Sequence, residues 1–419
     1  HRIAARIDRV AKLKAQVQRP LEGLKVLDFM WAIAGPAATR VLADYGATIV
    51  RVESTTRTDI CRTVAPFHEL PPEAESAVLF HNVNAGKRMI TLDLATPAGR
   101  EVALDLARWA DVVCESYTAG TMKTLGLGYE DLRAVNPAII MLSTCLMGQT
   151  GPLATYAGFG NLAAGLTGFA NLCGWPDRDP AGPFGAYTDY LAPRFSVAAV
   201  LAALDHRRRT GEGQLIDVAQ AEASLHFLGS AMLDYTVNGR VQMPVGNDDR
   251  ECVPHGVYPA AGDDRWVAIA VRDDAQFAAL AGVLGQPALA ADPRFATAAA
   301  RRANAAALDA VMADWTRTQD AHAAEAALQA AGVAASVVAT SGDLCADPQL
   351  AHREHVQQVT HPTYRTTPIE GSRFRLSRTP AVKHEAAPTL GRDNDQVLRD
   401  ILGYDEERVT ELVIAGALG

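Results

Sequence analysis

Few residues in this sequence stand where chemistry could be done, and the clearest of them is a carboxylate. Asp189 sits in Gly-Ala-Tyr-Thr-Asp-Tyr-Leu-Ala-Pro, just ahead of a helical stretch expected from about Pro193 to Arg209. An Asp at a helix start has two readings. As an N-cap it accepts a backbone N–H of the first turn and serves structure alone. As a reactive group it is kept ionised by the positive end of the helix dipole, and an anionic carboxylate at neutral pH is available as a nucleophile. Position alone favours the cap.

Other chemistries lack their residues. The first strand runs into Met-Trp-Ala-Ile-Ala-Gly-Pro (30–36), without the G-x-G-x-x-G that cradles a dinucleotide pyrophosphate. G-x-x-x-x-G-K-[ST] and the G-x-S-x-G of serine hydrolases are also missing. The eleven histidines form no H-E-x-x-H or other ligand set, and His352 and His355 lie on a polar stretch, so no metal site is expected.

The elements that must position Asp189 alternate in type. LKVLDF (24–29), TIVRVE (48–53), MITLDL (89–94), DVVCES (111–116) and AIIMLST (138–144) read as strands. Between them lie helical stretches such as 35–46 and the one opened by Thr96-Pro97, where Thr caps and Pro fits the first position because its missing N–H has no partner there anyway. Strand–helix alternation predicts helices on both faces of a largely parallel sheet, an α/β fold. The helix after Asp189 ends in His-Arg-Arg-Arg followed by Gly211, cations suited to a C-terminus and a residue suited to its left-handed cap. Beyond it, turn residues cluster at 236–264, RWVAIAV (265–271) reads as a strand, and 274–332 is Ala-rich and helical, as in a second, smaller domain. VAASVVA from 333 reads as a strand, followed by a polar segment and a terminal helix.

Composition bounds the function. A chain of 419 residues accommodates two domains, and 48% hydrophobic with 21% charged residues is a globular balance. The net charge of −9 comes from 39 basic and 48 acidic residues that are evenly mixed, so nucleic acid is not an expected partner. No apolar run reaches the ~18–20 residues of a membrane span. The six cysteines (Cys61, Cys114, Cys145, Cys173, Cys252, Cys345) have neither C-x-x-C spacing nor disulfide-scaffold density, which points to a reducing, cytoplasmic compartment. Residues 2–18 place Ile3, Ile7, Val10 and Leu13 at helical spacing among basic residues, without the apolar run or cleavage site of a targeting peptide. A lead-in helix or linker, as from a preceding domain, is expected over 1–19.

Beyond these single features, PLEGLKVLDF (20–29), AGPAATRVLADYGATIVRVES (34–54), NAGKRMITLDL (84–94), ADVVCESYTAGTMKTLGLGYEDL (110–132), NPAIIMLS (136–143), GQTGP (148–152), AYTDY (186–190) and RRRTGEGQLIDVAQAEA (207–223) resemble successive blocks of the class III CoA-transferase family. The match runs over about residues 20–390 in the family's order, and the family includes formyl-CoA, carnitine and benzylsuccinate CoA-transferases and α-methylacyl-CoA racemase. The resemblance implies a Rossmann-like large domain built from 20–225 and 333–419, a small domain from 226–332, and an interlocked homodimer with CoA bound between large and small domains. It implies that Asp189 is the catalytic residue, passing through an acyl-aspartyl anhydride and an aspartyl-CoA thioester as CoA moves from an acyl-CoA to a carboxylic acid acceptor. No permanently bound cofactor is implied.

CoA contacts carried over in the same way are Ala32, Ile33 and Ala34 after the first strand, Ser54, Leu92, Ser116 and Tyr117, with Lys123 and Thr124 where the family places a phosphate-binding Arg. Lys87 and Arg88 are further cation candidates, each with the simpler reading of a solvated surface charge. The racemases of the family supply a His where this chain has Phe159, beside Gly160, and α-proton exchange needs an acid–base group on each face; transfer is therefore favoured over racemisation. The loop that is a glycine run in formyl-CoA transferase reads G-N-D-D-R-E-C-V-P-H-G here (246–256), which suggests a different acyl substrate. One half of a tandem fusion or heteromer is the remaining alternative.

Overall fold

The computed structural model describes residues 19–71 and 73–419; the lead-in expected at 1–19 falls almost wholly outside them. The described residues divide by contact into two units, one of 19–71, 73–169, 183–240 and 351–419, the other of 170–182 and 241–350.

The first unit is built on a six-stranded sheet. Its strands are β1 (Lys25–Phe29), β2 (Thr48–Glu53), β3 (Arg88–Thr91), β4 (Val112–Glu115), β5 (Ile140–Cys145) and β6 (Leu215–Ala219). They are parallel throughout, in the order β3-β2-β1-β4-β5-β6. Strands β1 to β5 are buried almost end to end because helices cover both faces, which is why they read as near-continuous apolar runs. Alternate side chains feed two cores. Leu27, Phe29, Val50, Val113 and Met141 point to one face, and Val26, Ile49, Val112, Ile140 and Leu142 to the other. The strand order reverses between β1 and β4, and ligands of such sheets bind outside the carboxyl ends of the strands at that switch point.

Helix α1 (Ala34–Asp44) follows β1, α2 (Val78–Asn84) precedes β3, and α3 (Pro97–Trp109) follows it, capped as expected by Thr96 Oγ1 accepting Gly99 N–H at 3.0 Å. A short helix α4 (Gly160–Leu166) precedes the long α5 (Tyr187–Thr210), which packs on α1. The long helix starts six residues earlier than the expected Pro193. Asp189 is its third residue and is not a cap; Pro193 lies inside the helix. Proline has no N–H to give to the carbonyl four residues back, here that of Asp189 itself. Helix α6 (Gln220–Leu225) follows β6 directly.

The end of the chain completes this unit. The polar segment beyond 350 forms an antiparallel hairpin of Val356–His361 and Arg365–Glu370, its Thr and Gln residues alternating with the buried Val359, Thr367 and Ile369. Asp393 Oδ2 accepts Met89 N–H at 2.7 Å and Asn394 Oδ1 accepts Thr91 N–H at 2.9 Å, so two side chains cover the free edge of β3. Val397, Leu398 and Leu412 join the core beneath. Among the described residues no helix is long and apolar enough to cross a membrane.

The second unit has a three-stranded antiparallel sheet of His255–Pro259, Trp266–Ala270 and Ala334–Val337, with helices Asp274–Val283, Ala305–Thr316 and Ala321–Ala330. Its core holds Val267, Ile269, Phe277, Leu280, Leu308 and Leu328. Strand 334–337 pairs with 266–270 and so belongs to this unit, whereas helix Gly229–Asn238 belongs to the first.

A buried histidine pair joins the hairpin to α2. His361 Nδ1 accepts the N–H groups of Thr363 and Tyr364, each at 3.0 Å, and its Nε2 lies 2.9 Å from His81 Nε2. Burial, with His81 and His68 alongside, holds His361 down to about 4, and burial with Arg62 and His68 alongside lowers His81 as well. Both are neutral when folded, while the unfolded chain takes up protons below about 6.5. Stability is therefore expected to fall as pH drops from about 6.5 toward 4. Urea midpoints measured across that window should show the slope in the native protein and a shallower one in His361→Gln.

Candidate active site

The loop after β1 is held in an unfavourable shape by buried charges. Ala32 has φ of +61°, left-handed backbone that costs a residue with a Cβ about 1–2 kcal/mol. Its N–H donates to Asp59 Oδ1 at 3.1 Å, and its carbonyl accepts Cys61 Sγ–H at 3.1 Å. Trp31 N–H donates to Ser116 Oγ at 2.8 Å. Arg51, fully buried on β2, donates from Nη1 to Met30 O at 2.7 Å and from Nη2 to Asp59 Oδ2. Lys87 is buried in the same network, with Nζ 3.0 Å from Asp28 Oδ2 and 3.1 Å from Pro36 O. It is no solvated surface charge: burial lowers its pKa to about 8 in spite of Asp28. Arg88 is half-buried at the start of β3.

Two cavities open at the carboxyl ends of the strands, one of about 440 Å³ and one of about 420 Å³. They share Trp31, Tyr117 and Thr118 in their walls. Trp31 and Tyr117 meet edge to face with centroids 6.1 Å apart. The first cavity collects Ala32, Ala34, Ser116, Tyr117, Phe159 and Asp189. The second collects Ser54, Leu92 and Tyr117 with Arg57 and Thr121, and the Arg57 guanidinium stands 5.5 Å over the Trp31 ring. Ile33 lines neither and packs toward Phe80 and Cys61. Lys123 and Thr124 are exposed outside both linings, although Thr121 and Leu125 of the same short turn of helix line the second.

Asp189 is 4% exposed at the wall of the first cavity. Burial raises its pKa above the ordinary carboxylate value, opposed by hydrogen bonds from Gln220 and from the Gly160 N–H. Gln220 Nε2 donates to Asp189 Oδ1 and, at 2.9 Å, to Thr188 Oγ1, which donates to Gly160 O at 3.0 Å. Gly160 is required by this approach: a Cβ there would stand 2.9 Å from Asp189 Cγ and from Ala186 O.

Gln220 and Glu115 were not singled out by sequence reasoning. The available signal was placement, since both sit at the carboxyl end of a strand, where loops of a parallel sheet converge. Burial pushes the Glu115 carboxyl up to about 7 against hydrogen bonds from Ser143 and Tyr117. It accepts Tyr117 N–H at 2.8 Å and Gln149 Nε2–H at 3.3 Å, and Asp217 holds Gln149 N–H at 3.0 Å, so the wall residue Tyr117 and the 146–149 loop are tied to one carboxyl. Among the described residues no group of three or more His, Cys, Asp or Glu could hold a metal ion. The arrangement is a buried carboxylate with amide donors beside a divided cleft, a setting in which a carboxylate can act as a nucleophile.

The sequence profile of CoA-transferase family III matches residues 21–394. The chain belongs to CoA-transferase family III. It is 34% identical to the succinyl-CoA–D-citramalate CoA-transferase of Chloroflexus aurantiacus over 394 residues, covering 94% of this chain and 97% of that protein. It is also 34% identical to the succinate–glutarate CoA-transferase of Agrobacterium fabrum, over 91% of this chain and 96% of that one. In structure it is similar to a CAIB/BAIF family protein from Brucella suis, with a TM-score of 0.85, 35% identity, and 92% and 100% of the two chains covered. The mixed α/β fold with a parallel central sheet is the fold of those family structures. Family III CoA-transferases use CoA thioesters as substrates.

Replacing Gly160 by Ala forces Asp189 or the 186 carbonyl to move. If Asp189 is the reacting group, turnover of a CoA thioester by Gly160→Ala is expected to fall about 10²-fold, the loss typical of a small misplacement there. Circular dichroism should report an unchanged fold.

Proposed function

We propose that the chain is an acyl-CoA:carboxylate CoA-transferase in which Asp189 carries first the acyl group and then the CoA. The carrying observation is the burial of this carboxylate at the wall of a cleft, with an amide donor on it. The Asp189 carboxylate attacks the thioester carbonyl, the C–S bond breaks, and a mixed anhydride and CoA thiolate result. The thiolate attacks Cγ of Asp189, releases the donor acid and leaves an aspartyl-CoA thioester. The acceptor carboxylate attacks Cγ in turn and expels thiolate, which takes the new acyl group and frees Asp189. Two acids exchange one thioester at little net cost, so no nucleotide hydrolysis is needed.

The first cavity suits a short acyl group beside Asp189 and the second the nucleotide end of CoA. Succinyl-CoA is the donor to test first, because the relatives named above act on succinyl-CoA or succinate. Phe159, at the wall of the first cavity, has no proton to exchange, which supports transfer over racemisation.

Mixing the enzyme with succinyl-CoA and a panel of acids, then quenching with hydroxylamine, should convert Asp189 to its hydroxamate. Asp189→Ala should lose transfer by about 10⁴-fold or more, as loss of a covalent nucleophile does; full activity in that variant would remove the proposal. Because burial raises the Asp189 pKa, the acid limb of kcat/KM should lie above the ordinary value of 3.8. Arg57 is the cation lining the second cavity, placed to meet a phosphate. Arg57→Ala should raise KM for CoA thioesters about tenfold, one lost charge-assisted contact, with kcat held. An unchanged KM would place the phosphates elsewhere.

A further inference from the structure

Gln220 is the residue that follows β6; it is 6% exposed and lines the first cavity. The orientation of that amide is settled by its neighbours. Thr188 Oγ1 gives its proton to Gly160 O at 3.0 Å and so faces Gln220 Nε2, 2.9 Å away, as an acceptor. Asp189 Oδ1 is an acceptor as well. Two acceptors on one edge of the amide place the nitrogen there and turn the amide oxygen away.

A donor on the resting carboxylate is puzzling if attack is all that Asp189 does, because it lowers the basicity of the nucleophile. The donor becomes useful at the next two steps. In the anhydride and in the thioester, Asp189 Cγ is an acyl carbon with one carbonyl oxygen. Attack on it by thiolate, or by the acceptor carboxylate, gathers a full negative charge on that oxygen. A hydrogen bond that strengthens as this charge develops lowers the barrier rather than merely binding the ground state.

We infer that Gln220 is a catalytic residue whose Nε2–H forms an oxyanion site for the Asp189 carbonyl, so that Oδ1 is the oxygen retained and Oδ2 the one that attacks. This rests on Asp189 being the acyl carrier. Each step balances without a co-reactant. Thiolate adds to Cγ, Oδ1 takes the charge against Gln220, and the Cγ–Oδ2 bond breaks with Oδ2 departing as part of the donor carboxylate. In the second half the acceptor's oxygen adds to Cγ, Oδ1 again takes the charge, and the Cγ–S bond breaks to release thiolate. Gln220 holds its proton throughout. It serves the two steps at Asp189 Cγ and not the two at the substrate's acyl carbon.

The test separates those steps. Wild type, Gln220→Leu, the volume-conserving Gln220→Met and Asp189→Ala are each mixed with succinyl-, acetyl-, butyryl- and benzoyl-CoA. Intact-protein mass after a rapid acid quench reads acyl and CoA adducts separately. The expected result is acyl adduct at near wild-type rate in both Gln220 variants and CoA adduct slowed about 10²–10³-fold, the loss of one oxyanion donor. A merely structural role would slow both adducts together, and that outcome overturns the inference. So does a CoA adduct formed at wild-type rate. If wild type itself gains neither mass, the Asp189 reading fails and takes this one with it; wild type labelled and Gln220 variants unaffected sinks the Gln220 role alone.

Discussion

Arg51 has no water to solvate it, and the site depends on how that charge is satisfied. Its guanidinium holds Met30 O and Asp59, and Asp59 in turn holds the backbone of Ala32. Through those bonds a loop with a left-handed alanine keeps Trp31 against Tyr117 and the cleft divided in two. Lys87 and Asp28 brace the same loop from beneath through Pro36 O and Met30 N–H. Breaking a buried pair of this kind by removing one partner costs about 3–5 kcal/mol, because the other charge is left unpaired in the interior. The network thus sets the shape of the cleft as well as stability.

Asp189 faces the opposite electrostatic situation. Among the described residues no cation pairs with it; burial pushes it toward the neutral acid and two amide donors pull it back. A strong cationic partner would have held the carboxylate as a satisfied ion pair, and such a pair makes a poor nucleophile. Amide donors leave it ionisable yet not neutralised. The left-handed loop is held by buried charges and the buried carboxylate by amide donors, a difference that suits the reaction proposed for Asp189.

Much of this was legible in the sequence. Strands at 48–53 and the capped helix from 97 stand where residue pattern placed them, because parallel strands buried on both faces leave a continuous apolar signature and Thr-Pro leaves a start signal. Asp189 was found from its position and from the surrounding blocks, and Ala32, Ala34, Ser116 and Tyr117 do gather with it around one cavity. Other features were hidden for physical reasons. Pro193 suggested a helix start, but a proline seven residues into a helix is tolerated here, so Asp189 lies within the first turn. In the sequence Lys87 reads either as a cation candidate for CoA or as a solvated surface charge; only the fold brings Asp28 and Pro36 O to it. Gln220 lies thirty-one positions from Asp189, and nothing local to either marks the pairing.

The central claim is that Asp189 becomes covalently joined to the substrates during turnover. If it does, an oxygen of the acceptor acid must pass to the Asp189 carboxylate when the second anhydride is cleaved. Turnover with a heavy-oxygen-labelled acceptor, followed by peptide mapping of the segment that contains Asp189, reads this directly. The account predicts one heavy oxygen on Asp189 after transfer and none in a mixture lacking donor thioester. Complete turnover with no label on Asp189 would contradict it.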